Sequence, residues 1–331
     1  MKKIINEPSQ VVNEMLNGMS KCYPQYLTLL PETSVLIRSD LATCKPQVGL
    51  ISGGGSGHEP SHAGFVGAGM LSAAVAGQVF TSPTPDQIYA AIKAVDQGMG
   101  VFLIIKNYSG DVMNFEMAKD MAEMEGIAVK SIIVDDDIAV ENSLYTQGKR
   151  GVAGTILMHK ILGAAAQEGA SLTQLEELAQ QILPNLNTIG VALSSAIVPE
   201  VGQPAFVLAD DEIEYGVGIH SEPGYRKEKF TSCQALVTEL LTKLDETMQL
   251  SATKKYALLI NGLGATPLME QFIFSNDVLN ALAKKQITPV FTKVGNYMTS
   301  LEMAGISLTL LELPQAKWLE YLQAPVHTIA W

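Results

Sequence analysis

Residues able to do chemistry fall at three places in this sequence, each beside glycine. Gly53, Gly54, Gly55 and Gly57 run into His58-Glu59-Pro60-Ser61-His62; Lys106 opens the stretch that ends in Gly110-Asp111; and His220 precedes Ser221-Glu222-Pro223-Gly224. The first group satisfies HExxH, which on a helix would set two histidines on one face as zinc ligands with the glutamate as base. The residues themselves argue against that chemistry and for no metal. Pro60 stands between the two histidines, a glycine run precedes them, and His159, His220 and His327 lie in unrelated contexts, leaving no third ligand. Asp111 reads as the N-cap of a helix beginning at Val112, and a capping carboxylate that faces a site can still act as a base. His220 reads as a hydrogen-bonding residue where the strand EIEYGVGI meets a turn.

The glycines need their own explanation, since each costs conformational entropy on folding. Four of them between residues 53 and 57 are better explained by a left-handed turn, or by a ligand approaching bare backbone, than by stability. They do not form a nucleotide cradle. In the GxGxxG register His58 stands where a third glycine is required, and GxxxxGK[ST] occurs nowhere in the chain.

The elements that would position these residues alternate in type. A helical pattern and an extended crossing occupy residues 10 to 30, and from about residue 35 the runs VLIR, VGLIS, AAVAGQVF, VFLII and AVKSIIV are interleaved with DQIYAAIKAVDQG and VMNFEMAKDMAEMEG. This predicts an α/β fold whose first domain is a mainly parallel sheet flanked by helices. Ligands in such sheets collect beyond the carboxyl ends of the strands. That rule singles out GGGSGHEP, the loop of Thr81, Ser82 and Pro83, and the stretch from Lys106 to Asp111. Asp135-Asp136-Asp137 follows a fourth strand and, like residues 210 to 214, reads as solvated surface, although the first run could line the site or face a partner. Two helices are expected over residues 153 to 183, the second capped by Ser171. A change of texture after Pro184-Asn185 divides the chain into domains of residues 1–185 and 186–331. The second is expected to be smaller and α+β, with a long helix from Phe230 to Leu250 and a glycine turn at NGLGATP that is structural or a dimer contact.

Composition narrows the function classes. The chain has 331 residues, of which 47% are hydrophobic and 17% charged, enough to bury one large core or two moderate ones in a soluble protein. A formal net charge of -12 argues against nucleic acid, whose binding rests on basic side chains neutralising phosphates. Cys22, Cys44 and Cys233 are too scattered for a disulfide framework or a CxxC metal site and read as reduced thiols of a cytoplasmic protein. No signal peptide is legible at MKKIINEPSQ, and the weakly polar run from Phe65 to Gly77 is too short to span a membrane.

Eight blocks in one order carry a resemblance that runs from about residue 5 to Trp331. GGGSGHEPSH, FTSPTPDQIYAAI, KNYSGDVMNF, VDDDIAV, GKRGVAGT, ALSSAIVPEVGQPAF, DEIEYGVGIHSEPG and NGLGATPLME resemble the substrate-binding subunit of dihydroxyacetone kinases. Single-chain, ATP-dependent members append a helical nucleotide-binding domain; this sequence ends at APVHTIAW without one, so the expectation is the separate K subunit of the phosphoenolpyruvate-dependent, phosphotransferase-system type.

The resemblance implies that His220 attacks the carbonyl carbon of dihydroxyacetone and holds it as a hemiaminal. It implies further that Asp111 accepts the proton of the hydroxyl attacking phosphorus, that His58 hydrogen-bonds that hydroxyl, and that Gly54, Gly55, Ser82 and Lys106 position the other oxygens. It places no cofactor on this chain: ADP and Mg are expected on a partner L subunit, which relays phosphate from an M phosphodonor subunit. A homodimer is implied as well. The alternative within the same family is a non-catalytic dihydroxyacetone-binding paralogue that acts as a transcriptional co-activator.

Overall fold

A computed structural model describes residues 2–331 and divides its strands between two six-stranded sheets. The first contains β1 (Leu27–Leu29), β2 (Val35–Arg38), β3 (Gly49–Ser56), β4 (Ala73–Val79), β5 (Val101–Lys106) and β6 (Val129–Val134), in the order β1-β2-β4-β3-β5-β6. The four strands from β4 to β6 in that order run parallel, and β1 and β2 extend the sheet antiparallel. Every residue of β3 and β5 is buried, as expected for central strands covered on both faces. Helices α2 (Pro85–Val95) and α3 (Ser109–Met124) cover one face through Ile88, Ile92, Phe115 and Ala118.

The other face is covered by α4 (Thr155–Glu168), with α1 (Val11–Cys22) and α5 (Leu172–Ile182) beside it. Residues 155 to 166 of α4 are all buried. The helix run TILMHKILGAAA, in which only Thr155, His159 and Lys160 are polar, has no solvent face to offer and belongs between two layers. Its second layer is the other sheet, ordered β11-β10-β12-β7-β8-β9 and mostly antiparallel. These strands are β7 (Leu186–Ala192), β8 (Glu212–Tyr215), β9 (Arg226–Lys229), β10 (Tyr256–Gly262), β11 (Phe291–Gly295) and β12 (Gly305–Glu312). Helices α6 (Cys233–Met248) and α7 (Leu268–Lys284) pack on its far face. One apolar cluster joins Leu50 and Ile104 of the first sheet, Leu157 and Ile161 of α4, and Leu259 and Leu311 of the second. The expected division after residue 185 falls between α5 and β7, and α8 (Ala316–Gln323) returns to the shared core through Trp318 and Leu322.

Several local expectations are corrected. Gly53, Gly54 and Gly55 are not a loop but the end of β3, paired with Val75, Ala76 and Gly77 of β4. The two chains run so close that a β-carbon on Gly53 would strike the Val75 carbonyl. Helix α3 starts at Ser109, which places Asp111 in its first turn; Tyr108 is the N-cap. β8 stops at Tyr215, so His220 lies in a loop that leads to β9, and the long helix expected from Phe230 to Leu250 is α6, trimmed to Cys233–Met248 behind its Ser232 cap. Asp136 and Asp137 are buried and not solvated: Asp136 accepts from the amides of Val152 and Gly154 and from the Thr188 hydroxyl, and Asp137 pairs with Arg150. Ser171 caps α5 as expected, in a reciprocal box with Gln174. Among the described residues no helix is long and apolar enough to cross a membrane.

Candidate functional site

β3 and β5 are neighbours, yet the chain leaves β3 toward β4 on one side and β5 toward β6 on the other. Their carboxyl ends therefore flank a crevice, the place where open parallel sheets hold ligands. Gly57, at φ +104°, turns the chain out of β3 and delivers His58 into the interior. Its Nδ1 lies 2.8 Å from the carbonyl oxygen of Thr299, on the loop between β11 and β12. A carbonyl can only accept, so Nδ1 carries the proton and Nε2 is left as the acceptor. Burial, and then the charges of His220 and Lys106, hold the His58 imidazole well below its ordinary pKa.

His220 comes from the β8–β9 loop and lines the same crevice. A tight turn folds Glu222 back, so that its carboxylate accepts from the His220 amide at 2.9 Å and lies 3.1 Å from its Nδ1. Burial pushes Glu222 upward, but the hydrogen bond and charge of His220 and the charge of Arg150 outweigh it and hold the acid below the usual carboxylate range. Arg150, itself buried, pins the loop from behind by donating to the Gly216 carbonyl at 2.6 Å and, through Nε, to Asp137 at 2.8 Å. His220 Nδ1 is thus a committed donor, and its Nε2 lies 3.0 Å from Nε2 of His58. Two acceptor-type nitrogens at that distance need one proton between them. Tyr108 meets the His220 ring edge-on at 4.5 Å, and Phe80 stacks on His58 at 5.2 Å and 15°, so both imidazoles are walled by apolar rings.

Asp111 approaches from the first turn of α3, where the helix dipole favours a carboxylate. Its Oδ2 lies 3.3 Å from the ammonium of Lys106, which is buried at the end of β5. Gly54, at φ +149°, crosses directly above this pair, and a β-carbon there would overlap Lys106 Nζ. Gly54→Ala should therefore displace the lysine and destabilise the fold by about 1–3 kcal/mol, measurable in denaturant unfolding; an unchanged midpoint would show that the pair can move.

A cavity of about 560 Å³ joins these groups, with Gly55, Ser82, Asp111 and His220 in its wall. Of the seven residues singled out in the sequence, those four line it; His58 touches His220, and Gly54 and Lys106 lie against Asp111. A larger groove of about 810 Å³ runs beside Leu29 to Ser34, but its only titratable residue is Glu32, so it offers no comparable chemistry. The two histidines of HExxH diverge, His58 toward His220 and Thr299, His62 toward Lys106 and His159, on non-helical backbone. Glu222, Phe80, Tyr108 and Thr299 were not anticipated as site residues. Two had a local signal: Glu222 lies two residues beyond His220 in a turn, and Tyr108 falls inside the stretch from Lys106 to Asp111.

The buried histidines bear on stability. Burial and Lys106 drive His159 down to about 3, and burial, with neighbouring charges, lowers His58 and His62 as well. Each is neutral when folded and protonates near pH 6.5 when unfolded, so its contribution is complete above that pH and is lost as pH falls toward the folded value. Asp136, raised to about 6 by burial, acts in the opposite sense below that pH. A comparison isolates one histidine: between about pH 6 and 4, unfolding free energy should fall less steeply in His159→Gln than in the parent, by about 1.4 kcal/mol per pH unit. Parallel curves would contradict a neutral buried His159.

A family model for the Dak1 domain matches residues 17–330 of the chain. The chain is 61% identical over 330 residues to the dihydroxyacetone-binding subunit DhaK of the PTS-dependent dihydroxyacetone kinase of Lactococcus lactis, covering 100% of this chain and 99% of the relative. It is 47% identical to the DhaKLM operon coactivator DhaQ of the same species, over 99% of this chain and 100% of that one. Among solved structures, the dihydroxyacetone kinase of C. freundii superimposes with a TM-score of 0.90 at 34% identity, over 100% of this chain and 60% of that chain.

Proposed function

Because the chain belongs to the Dak1 domain family, we propose that it is the dihydroxyacetone-binding, catalytic subunit of a phosphotransferase that makes dihydroxyacetone phosphate. The observation that carries the reading is the Glu222–His220–His58 alignment, which holds a histidine Nε2 at a cavity wall with a proton acceptor 3.0 Å away.

Capture begins when His58 Nε2 takes up the proton between the two rings and frees the His220 lone pair. The lone pair forms a bond to the substrate's carbonyl carbon, the carbonyl π bond opens, and the displaced proton passes from His58 to the new alkoxide. The product is a hemiaminal on His220, an N-substituted imidazolium whose charge faces the Glu222 carboxylate. No net proton enters or leaves. A covalent bond to carbonyl carbon separates a ketone from glycerol, which hydrogen bonds to hydroxyls alone would do poorly.

For transfer, Asp111 removes the proton of the terminal hydroxyl as its oxygen bonds to phosphorus, and the donor's P–O bond breaks. His58 orients that hydroxyl, and Ser82, Lys106 and the backbone at Gly54 and Gly55 position the substrate's oxygens. Phosphoryl transfer depends on positioning and charge stabilisation; a partner L subunit carrying ADP and magnesium, and recharged by an M subunit, supplies the phosphoryl group and the countercharge. The working protein is a cytoplasmic homodimer.

The identity to a coactivator over nearly the whole of both chains supports a second reading, a dihydroxyacetone sensor without transferase activity. Reconstitution separates the two. The purified chain is combined with L and M subunits, the two general phosphotransferase proteins, phosphoenolpyruvate and dihydroxyacetone. Dihydroxyacetone phosphate should accumulate; none, beside a competent K subunit run in parallel, would leave only the sensor.

A further inference from the structure

Behind Asp111 and Lys106 lies a line of buried polar groups, His62, His159 and Ser52, to which the reaction above gives no part. Lys106 Nζ is 3.1 Å from the Gly53 carbonyl, 3.1 Å from His62 Nε2 and 3.3 Å from Asp111 Oδ2. His62 Nδ1 in turn is 2.9 Å from His159 Nε2 and 3.3 Å from the Ser52 hydroxyl, which spends its own hydrogen on the Ile104 carbonyl at 2.7 Å. Lys106, His62, His159 and Ser52 are all buried.

The donors and acceptors along this line can be arranged in one way only. An ammonium has three hydrogens and no lone pair, so the three neighbours of Lys106 must all accept. His62 Nε2 is then unprotonated. Burial and the lysine's charge keep the ring neutral, which puts its one proton on Nδ1, donated to His159 Nε2. The His159 proton must sit on Nδ1, which has no partner among the described residues, nor has the hydroxyl of Thr155 one turn earlier on α4. A buried ammonium cannot leave a hydrogen unmade without a large desolvation penalty, so the acceptor at His62 decides where the lysine stays.

We infer that His62 is a positioning residue for the transfer step: its Nε2, held in the accepting tautomer by His159, fixes the Lys106 ammonium beneath Gly54 and so sets the place of the Asp111 carboxylate. The inference rests on the reading of Asp111 as the base, but its geometry can be tested without turnover. Long-range proton–nitrogen NMR of the free, nitrogen-15-labelled chain distinguishes the two neutral tautomers of each of its five histidines, with the His62 signal assigned by its loss in His62→Gln. The expected form is protonated at Nδ1. A His62 protonated at Nε2, or doubly protonated, overturns the inference.

Kinetics supply the second arm. In the reconstituted system His62→Leu should form the His220 adduct and keep its KM, but lose about 10- to 100-fold in kcat, the range usual for groups that support a catalytic side chain. His62→Gln, whose side-chain oxygen can accept from Lys106, should regain most of that loss. Equal losses in the two variants, or a His62→Leu with unchanged kcat, would overturn the inference. A parent chain that makes no product would instead sink the transferase reading, and the tautomer would still decide whether His62 holds Lys106 and Asp111 in place.

Discussion

His220→Ala should abolish every covalent complex with dihydroxyacetone, seen as the loss of the adduct from the intact mass spectrum under non-denaturing conditions. The expectation follows from the arrangement around one nitrogen. Glu222 occupies Nδ1 of His220, so only Nε2 is available, and no other nucleophilic side chain of the cavity wall has a comparable acceptor beside it. Alanine also removes the edge that Tyr108 and Phe80 pack against and the imidazole partner of Glu222, but the carboxylate keeps the amide of residue 220 and the charge of Arg150. The fold should therefore survive, and phosphoryl transfer should fall with capture, since an untethered substrate loses the positioning on which transfer relies. An adduct that persists in the alanine variant would move the nucleophile elsewhere. Loss of folding would be answered by His220→Gln, which preserves the hydrogen bond to Glu222 and lacks the nucleophile.

Asp111→Asn separates the two halves of the reaction. Capture uses His220, His58 and Glu222, which meet across the loops of both sheets; Asp111 lies on α3 against Lys106 and has no part in it. The variant should form the adduct as the parent does and lose about 10²- to 10⁴-fold in turnover, the usual contribution of a positioned base. Asparagine is the better substitution for kinetics because it still accepts from Lys106. Asp111→Ala should show the same split, with added instability from an ammonium stripped of its countercharge. A variant that loses adduct and turnover together would mean that Asp111 shapes the capture step, and one that retains turnover would remove it as the base.

Much of the site was legible because its chemistry is concentrated in short blocks beside glycine. His58, Asp111 and His220 were singled out with no knowledge of distance, their roles supplied by the family resemblance, and the strand–helix alternation located the loops beyond β3, β4 and β5. What the sequence concealed was register and depth. Gly53 to Gly55 read as a loop because glycine is common in turns, yet their pairing with Val75, Ala76 and Gly77 makes them strand, bare because β4 and Lys106 press on them. The run Asp135 to Asp137 read as surface because acids are seldom buried; Arg150, which pairs with Asp137, and the Val152 and Gly154 amides ahead of α4, which donate to Asp136, lie more than a dozen residues away. Thr299, which sets the His58 tautomer, comes from the other sheet, 241 residues along the chain. Such a partner leaves no local mark. The reading of HExxH as no zinc site rested on the preceding glycine run, on Pro60 and on the want of a third ligand; in the structure His58 and His62 point to different partners.

The central claim is a bond between His220 Nε2 and the ketone carbon, and it can be observed directly. Dihydroxyacetone labelled with carbon-13 at the carbonyl is added to the chain carrying nitrogen-15 histidine, and the bound carbon is examined for a one-bond coupling to nitrogen. A tetrahedral carbon coupled to one histidine nitrogen is expected in the parent chain and in Asp111→Asn, and no such signal in His220→Ala. Bound dihydroxyacetone that shows only uncoupled ketone and hydrate carbons, or a coupling that survives the loss of His220, would contradict it.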